Sequence, residues 1–73
     1  MSSVALELRL SSEAATATNI AMRQMLQAIE ERDWTEVENF RFEAVTNFES
    51  QLDHLVAANR MYDQQTTTRK SQP

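Results

Sequence analysis

The sequence contains one histidine, His54, the residue type that most often serves as a general base or a metal ligand. In a helix, its neighbours three and four residues away are Gln51, Ser50 and Ala58. A carboxylate-bundle metal site needs a glutamate three residues before the histidine, and a helical zinc pair needs a second histidine. Because neither is present, we expect His54 to lie at the solvent edge of a helix rather than to act as a metal ligand or general base.

The other residue types that support catalysis also lack partners. Any serine triad would have to use the same lone histidine as its base. The carboxylate pairs, Glu30 with Glu31 and Glu36 with Glu38, have no cleft that would desolvate one member. Two helices do not enclose a substrate pocket. We therefore expect no enzymatic activity, and no metal, cofactor or small-molecule substrate.

Composition narrows the class of protein further. The chain has 73 residues, and a core of this size rarely nets more than ~3–5 kcal/mol. It has no cysteine for disulfides and no glycine for a phosphate-binding loop. The net charge of −4 disfavours nucleic acid and anionic membranes as partners. No apolar run approaches the ~18 residues of a membrane span, and no signal-peptide pattern is present, so we expect a cytoplasmic protein.

The first predicted helix covers about residues 12–32. Its apolar residues follow a helical period, at Met22, Met25, Leu26 and Ile29. A ridge of small side chains lies beside them, at Ala14, Ala17, Ala21 and Ala28. We expect Met22 and Met25 on the buried side of this helix. Residues 4–10 alternate as a strand would but have no partner strand, so a helical extension from Val4 is favoured, with strand and disorder left open.

The second predicted helix covers about residues 34–62. Asp33 followed by Glu36 is typical of a helix N-terminus, with Thr35 and Glu38 as an alternative pair. A second apolar stripe follows, at Val37, Phe40, Ala44, Phe48, Leu52, Leu55 and Tyr62. The two stripes are offset by roughly 80° at ~100° per residue, which argues against one continuous helix.

The predicted fold class is therefore all-α. We predict an antiparallel two-helix hairpin over residues 1–63, which dimerisation or partner binding would complete to a four-helix bundle. Residues 64–73 have no apolar side chain and are predicted to be a disordered tail.

The second helix is too apolar for a hairpin alone. Its apolar arc reaches roughly 200°, whereas packing on one neighbour needs little more than ~100°. We expect the line through Val37, Ala44 and Leu55 to meet the first helix. The predicted partner-binding residues lie on the remaining arc: Arg41, Phe42, Val45, Leu52 and Val56. Arg41 has two open interpretations, because its methylenes would cover the core edge or its guanidinium would form an interface ion pair.

An acidic turn connects the two predicted helices. It consists of Glu30, Glu31, Asp33, Trp34 and Glu36. Asp33 and Glu36 complement the N-terminal dipole of the second helix, whereas Glu30 and Glu31 lie at a helix C-terminus, where acids are disfavoured. The turn is therefore either simply solvated or a recognition element for a basic partner.

The stretch from Ala28 to Val37, followed by Glu43, Ala44 and Val45, resembles the small flagellar export chaperones of the T type. In that family an acidic turn and a tryptophan commonly precede the second helix of a hairpin. The resemblance implies binding of the C-terminal segment of a filament-cap protein and, in some members, restraint of a flagellar transcription activator.

These observations predict a small helical protein-binding module, export-chaperone-like or regulatory, which binds a client through the apolar face of its second helix. The alternatives are a self-assembling structural bundle or a small protein inhibitor. A nucleic-acid regulator comes third. The expected partner is thus another protein or a second copy of the chain.

Overall fold

The computed structural model describes residues 3–70, with side chains through residue 67. It contains two helices, α1 (Val4–Glu30) and α2 (Trp34–Lys70). A three-residue turn joins them, and α1 packs antiparallel against α2, with no strand among the described residues. The predicted all-α two-helix hairpin is therefore confirmed.

The hairpin is long and thin. Its extents are 63 × 18 × 13 Å and its radius of gyration is 17.3 Å, whereas a compact domain of this length would have a radius of gyration of about 11 Å. The helices have unequal lengths of 27 and 37 residues. Val4, at the start of α1, lies beside Asn59 and Tyr62, so the last turns of α2 extend beyond α1.

The helix ends differ in part from the sequence predictions. α1 begins at Val4, where the hydroxyl of Ser3 accepts a hydrogen bond from the backbone N–H of Leu6 at 3.0 Å. The alternating residues 4–10 are thus helical. α2 continues to Lys70, where the sequence predicted a disordered tail from residue 64. Each residue added to a nucleated helix gains a hydrogen bond, and no glycine or proline interrupts this stretch. Residues 71–73 of the predicted tail lie outside the described residues.

The turn is a Schellman motif built without glycine. The N–H of Arg32 bonds to the carbonyl of Ile29 at 3.0 Å, and the N–H of Asp33 bonds to that of Ala28 at 2.9 Å. Arg32 has the left-handed φ of 59° that this motif requires and that glycine normally supplies. A sharp reversal is therefore possible here because the hydrogen bonds offset the strain of a non-glycine residue.

We expect Arg32→Gly to raise the free energy of unfolding by about 0.5–1 kcal/mol, because glycine adopts this φ without steric strain. Urea unfolding followed by circular dichroism would measure the change. The control is Glu31→Gly at the neighbouring position, where φ is −84° and stability should fall. There glycine brings its entropic cost and removes the hydrogen bond that Gln27 Nε2 donates to the Glu31 carboxylate. Equal effects at both positions would contradict the strain at Arg32.

Asp33 caps α2, as the first of the two predicted pairs requires. Its Oδ1 accepts a hydrogen bond from the N–H of Glu36 at 3.3 Å. Its backbone carbonyl accepts the first helical bond, from the N–H of Val37 at 3.0 Å. Asp33, rather than Thr35, therefore starts the second helix.

The seam between the helices contains small side chains. The buried apolar residues are Ala21, Ala28, Val37, Ala44 and Ala58. None of the described leucine, isoleucine, methionine, phenylalanine, tyrosine or tryptophan side chains is buried. Small residues allow two helices to approach closely. As a result of this close approach, the large apolar side chains remain outside the seam.

This arrangement corrects two expectations. Of the two methionines predicted on the buried side of the first helix, Met22 is 49% exposed, whereas Met25 is half-buried on the same line as the buried Thr18. Leu55, predicted to meet the first helix together with Val37 and Ala44, is 46% exposed. The alanine ridge contacts α2 instead, because close helix packing favours the smaller of two adjacent apolar lines.

Candidate protein-binding face

Two grooves run along the same side of the hairpin. The first is lined by Asn19 and Met22 of α1 together with Val45 and Phe48 of α2. The second lies nearer the open end of the hairpin and is lined by Leu8 of α1 and by Leu55, Asn59 and Tyr62 of α2. Six large apolar residues line these grooves and are also exposed to solvent. We call them the apolar face: Leu8, Met22, Val45, Phe48, Leu55 and Tyr62. Their exposed fractions range from 46% to 59%.

Residue spacing explains why both grooves lie on one side. On α1, one line with a seven-residue repeat contains Leu8, Ala15, Met22 and Ile29. On α2, the corresponding line contains Trp34, Arg41, Phe48, Leu55 and Tyr62. A seven-residue repeat keeps side chains on one stripe of a helix. Because the helices are antiparallel, the two stripes flank the alanine seam on the same side. Each helix thus has a second apolar stripe beside the one that forms the hairpin.

The opposite side of the hairpin is mainly polar. Its groove is lined by five polar residues, by Ala28 and by the half-buried Phe40; the polar residues are Gln24, Gln27, Glu31, Asp33 and Glu36. Two exposed apolar residues, Leu6 and Ile20, lie on this side of α1 by helical spacing. The apolar surface is therefore concentrated on one face.

The predicted partner-binding residues do not all lie on the apolar face. Val45 lines its first groove, and Leu52, which is 48% exposed, lies by spacing between Phe48 and Leu55. Phe42 and Val56 are also exposed but lie farther around α2, at its outer edge, by helical spacing. Their role in binding stays a prediction.

Arg41 forms an ion pair within its own helix. Its Nε and Nη2 atoms donate to Oε2 of Glu38 at 3.1 and 2.6 Å. Both side chains are more than 60% exposed, so the pair contributes only about 0.2–1 kcal/mol to stability. Arg41 thus lies on the same seven-residue line of α2 as Phe48 and Leu55. Its charge on this line is paired with the carboxylate of Glu38.

The acidic turn lies at one end of the hairpin. Glu30, Glu31 and Asp33 are exposed, and Glu36 is half-buried. Of these acids, Glu31, Asp33 and Glu36 line the polar groove. Trp34 is 61% exposed and belongs by spacing to the line of Phe48 on the apolar side. Trp34 therefore lies on the apolar side of the hairpin, whereas these three acids line the groove on the opposite side.

His54 has a partner that sequence reasoning missed. Its Nδ1 lies 2.6 Å from Oε2 of Glu7, which is buried. One turn away, the hydroxyl of Ser11 donates to the carbonyl of Gln51 at 2.9 Å. His54 is thus half-buried in a polar layer between the helices, whereas the sequence predicts it at the solvent edge. No group of three or more histidine, cysteine or acidic residues within the described part of the chain could hold a metal ion.

No protein-family model matches the chain, and no curated protein and no solved structure is significantly similar to it. Within residues 3–70, neither helix has a stretch long and apolar enough to cross a membrane. We therefore infer the function from the apolar face.

Proposed function

We propose that this chain is a small helical protein-binding module whose apolar face packs against helices of another chain. The observation that supports this most strongly is the inverted distribution of apolar residues: alanines lie in the seam, and the large side chains lie in water on one face. Burying one leucine or phenylalanine side chain gains about 1.5–3 kcal/mol. Because the side chains of this face are 46–59% exposed, a partner that covers it would recover about half of that free energy at each of several positions.

The exposed area supports the same proposal. The chain exposes 5826 Å² of surface, whereas a globular monomer of its mass would expose roughly 4,600 Å². The difference of roughly 1,200 Å² exceeds the ~800 Å² that each partner buries in a standard protein–protein interface. The surplus surface is thus large enough for a stable protein interface.

The shape of the face favours a helical partner over an extended one. A groove between two helices, with side chains repeated every seven residues, suits the packing of a further helix. The resemblance of residues 28–37 to flagellar export chaperones implies a client segment as the occupant. In that case the acidic turn would meet basic residues next to the bound segment.

Site-specific photo-crosslinking in cells would test the proposed function. We expect p-benzoylphenylalanine at position 48 to form a covalent adduct of defined mass with a protein, because the analogue keeps the aromatic ring of Phe48 in the groove. The matched control places the same analogue at Thr46, which is exposed on the other side of α2. Adducts at both positions, or at neither, would argue against binding through the apolar face.

A further inference from the structure

We infer that the occupant of the apolar face is a second copy of this chain. The two hairpins stack face to face about a two-fold axis parallel to the helices, so that α1 of one protomer packs antiparallel against α2 of the other. This inference rests on the proposed function, because it names the partner of the same face.

The register of the hairpin makes the face complementary to itself. The Glu7–His54 and Ser11–Gln51 bonds place residues whose numbers add up to about 62 at the same height. Rotation about an axis parallel to the helices preserves these heights. Leu8 of one protomer would therefore lie at the height of Leu55 of the other, Ala15 at that of Phe48 and Ile29 at that of Trp34. Apolar side chains thus meet apolar side chains at three of the four levels. At the fourth level Met22 would meet Arg41, which is paired with Glu38.

The charges at the edges of the face select this axis. Near the acidic turn the outer edge of α1 is acidic, and elsewhere it contains Arg9 and Arg23. On α2, Glu49 lies at the outer edge, on the line of Phe42 and Val56, and Glu38 lies one line nearer the groove, on the line of Val45. The proposed axis brings Arg23 to about the height of Glu38 in the other protomer, and Arg9 within about one turn of Glu49. A two-fold axis perpendicular to the helices would instead place α1 against α1, with arginines facing arginines.

The area also favours a copy of the chain over a single bound helix. Covering a surplus of roughly 1,200 Å² on each of two protomers would bury about 2,400 Å² in total, within the range of obligate homodimers. Arg41 would enter the interface together with Glu38, with which it is already paired. In the dimer the Glu38 carboxylate would lie between Arg41 of its own chain and Arg23 of the other, so that one carboxylate accepts hydrogen bonds from both guanidinium groups.

Sedimentation equilibrium of the full chain and of two charge variants would test this inference. We expect the wild type at twice its 8.4 kDa mass. One variant combines Arg9→Glu with Arg23→Glu, and the other combines Glu38→Lys with Glu49→Lys. Each variant alone should dimerise about 30-fold more weakly, since four edge pairs per dimer become repulsive. An equimolar mixture should regain wild-type affinity, because the reversed edges of the two chains attract.

The control variant combines Glu13→Lys with Glu43→Lys on the other side of the hairpin. It changes the net charge by the same amount as Glu38→Lys with Glu49→Lys, and its dimerisation should match the wild type. A wild-type chain that stays monomeric at millimolar concentration would overturn the inference. The proposed function would survive that result if the Phe48 position still crosslinks to a different protein. A dimer whose affinity does not respond to the edge charges would overturn the stated axis. Helical circular dichroism of each variant confirms that it is folded.

Discussion

Ala21→Phe is expected to lower the free energy of unfolding by about 1–3 kcal/mol, a large part of the ~3–5 kcal/mol that so small a core provides. Ala21 is 2% exposed and lies in the seam where the two helices approach closely. A phenyl ring at this position cannot be accommodated without moving the helices apart.

Urea unfolding at fixed protein concentration would measure this effect, since dimerisation would make the apparent stability depend on concentration. The matched control is Ala5→Phe on the same helix, where the alanine is exposed and the change should stay within about 0.5 kcal/mol. If both substitutions cost the same, the alanines do not form the seam, and the sequence-based placement of Met22 on the buried side would regain support.

The second large effect concerns Glu7 and His54. We expect Glu7→Ala and His54→Ala each to cost about 1–3 kcal/mol, because each removes a close partner from a polar group held between the helices. Glu7 has only 11% of its side chain exposed, and His54 has 33%. Low exposure limits the water that could replace the lost partner.

A double-mutant cycle would isolate the interaction between these two residues. We expect a coupling free energy of about 1–2 kcal/mol, so that the double variant costs less than the two single changes together. The control is the same cycle on Arg41 and Glu38, an ion pair of the same 2.6 Å length whose side chains are more than 60% exposed. A coupling for Glu7 and His54 no larger than for this surface pair would show that the polar layer does not hold the helices in register.

The candidate site could be predicted only in part. The width of the apolar arc on the second helix correctly indicated that α2 has more apolar surface than α1 can cover, and this width also pointed to Val45 and Leu52. The contribution of α1, through Leu8 and Met22, was missed. Met22 lies next to the alanine ridge. Helical spacing alone does not determine which of these two adjacent stripes of residues packs against the neighbouring helix.

Local interactions determined the division of the chain into two helices. The change of phase between the apolar stripes and the capping residue Asp33 are properties of a few neighbouring residues, so the amino-acid sequence alone locates the turn. The left-handed conformation of Arg32 could not be predicted in the same way, because glycine is the usual signal and the sequence has none.

Only the tertiary structure decided how the helices face each other. The Glu7–His54 pair joins residues 47 positions apart, and no local pattern connects them. The choice of alanines for the seam depends on how closely two backbones can approach, which is a property of both helices together. That choice also leaves the large apolar side chains on the outside, and so the apolar face is a consequence of tertiary packing rather than of either helix alone.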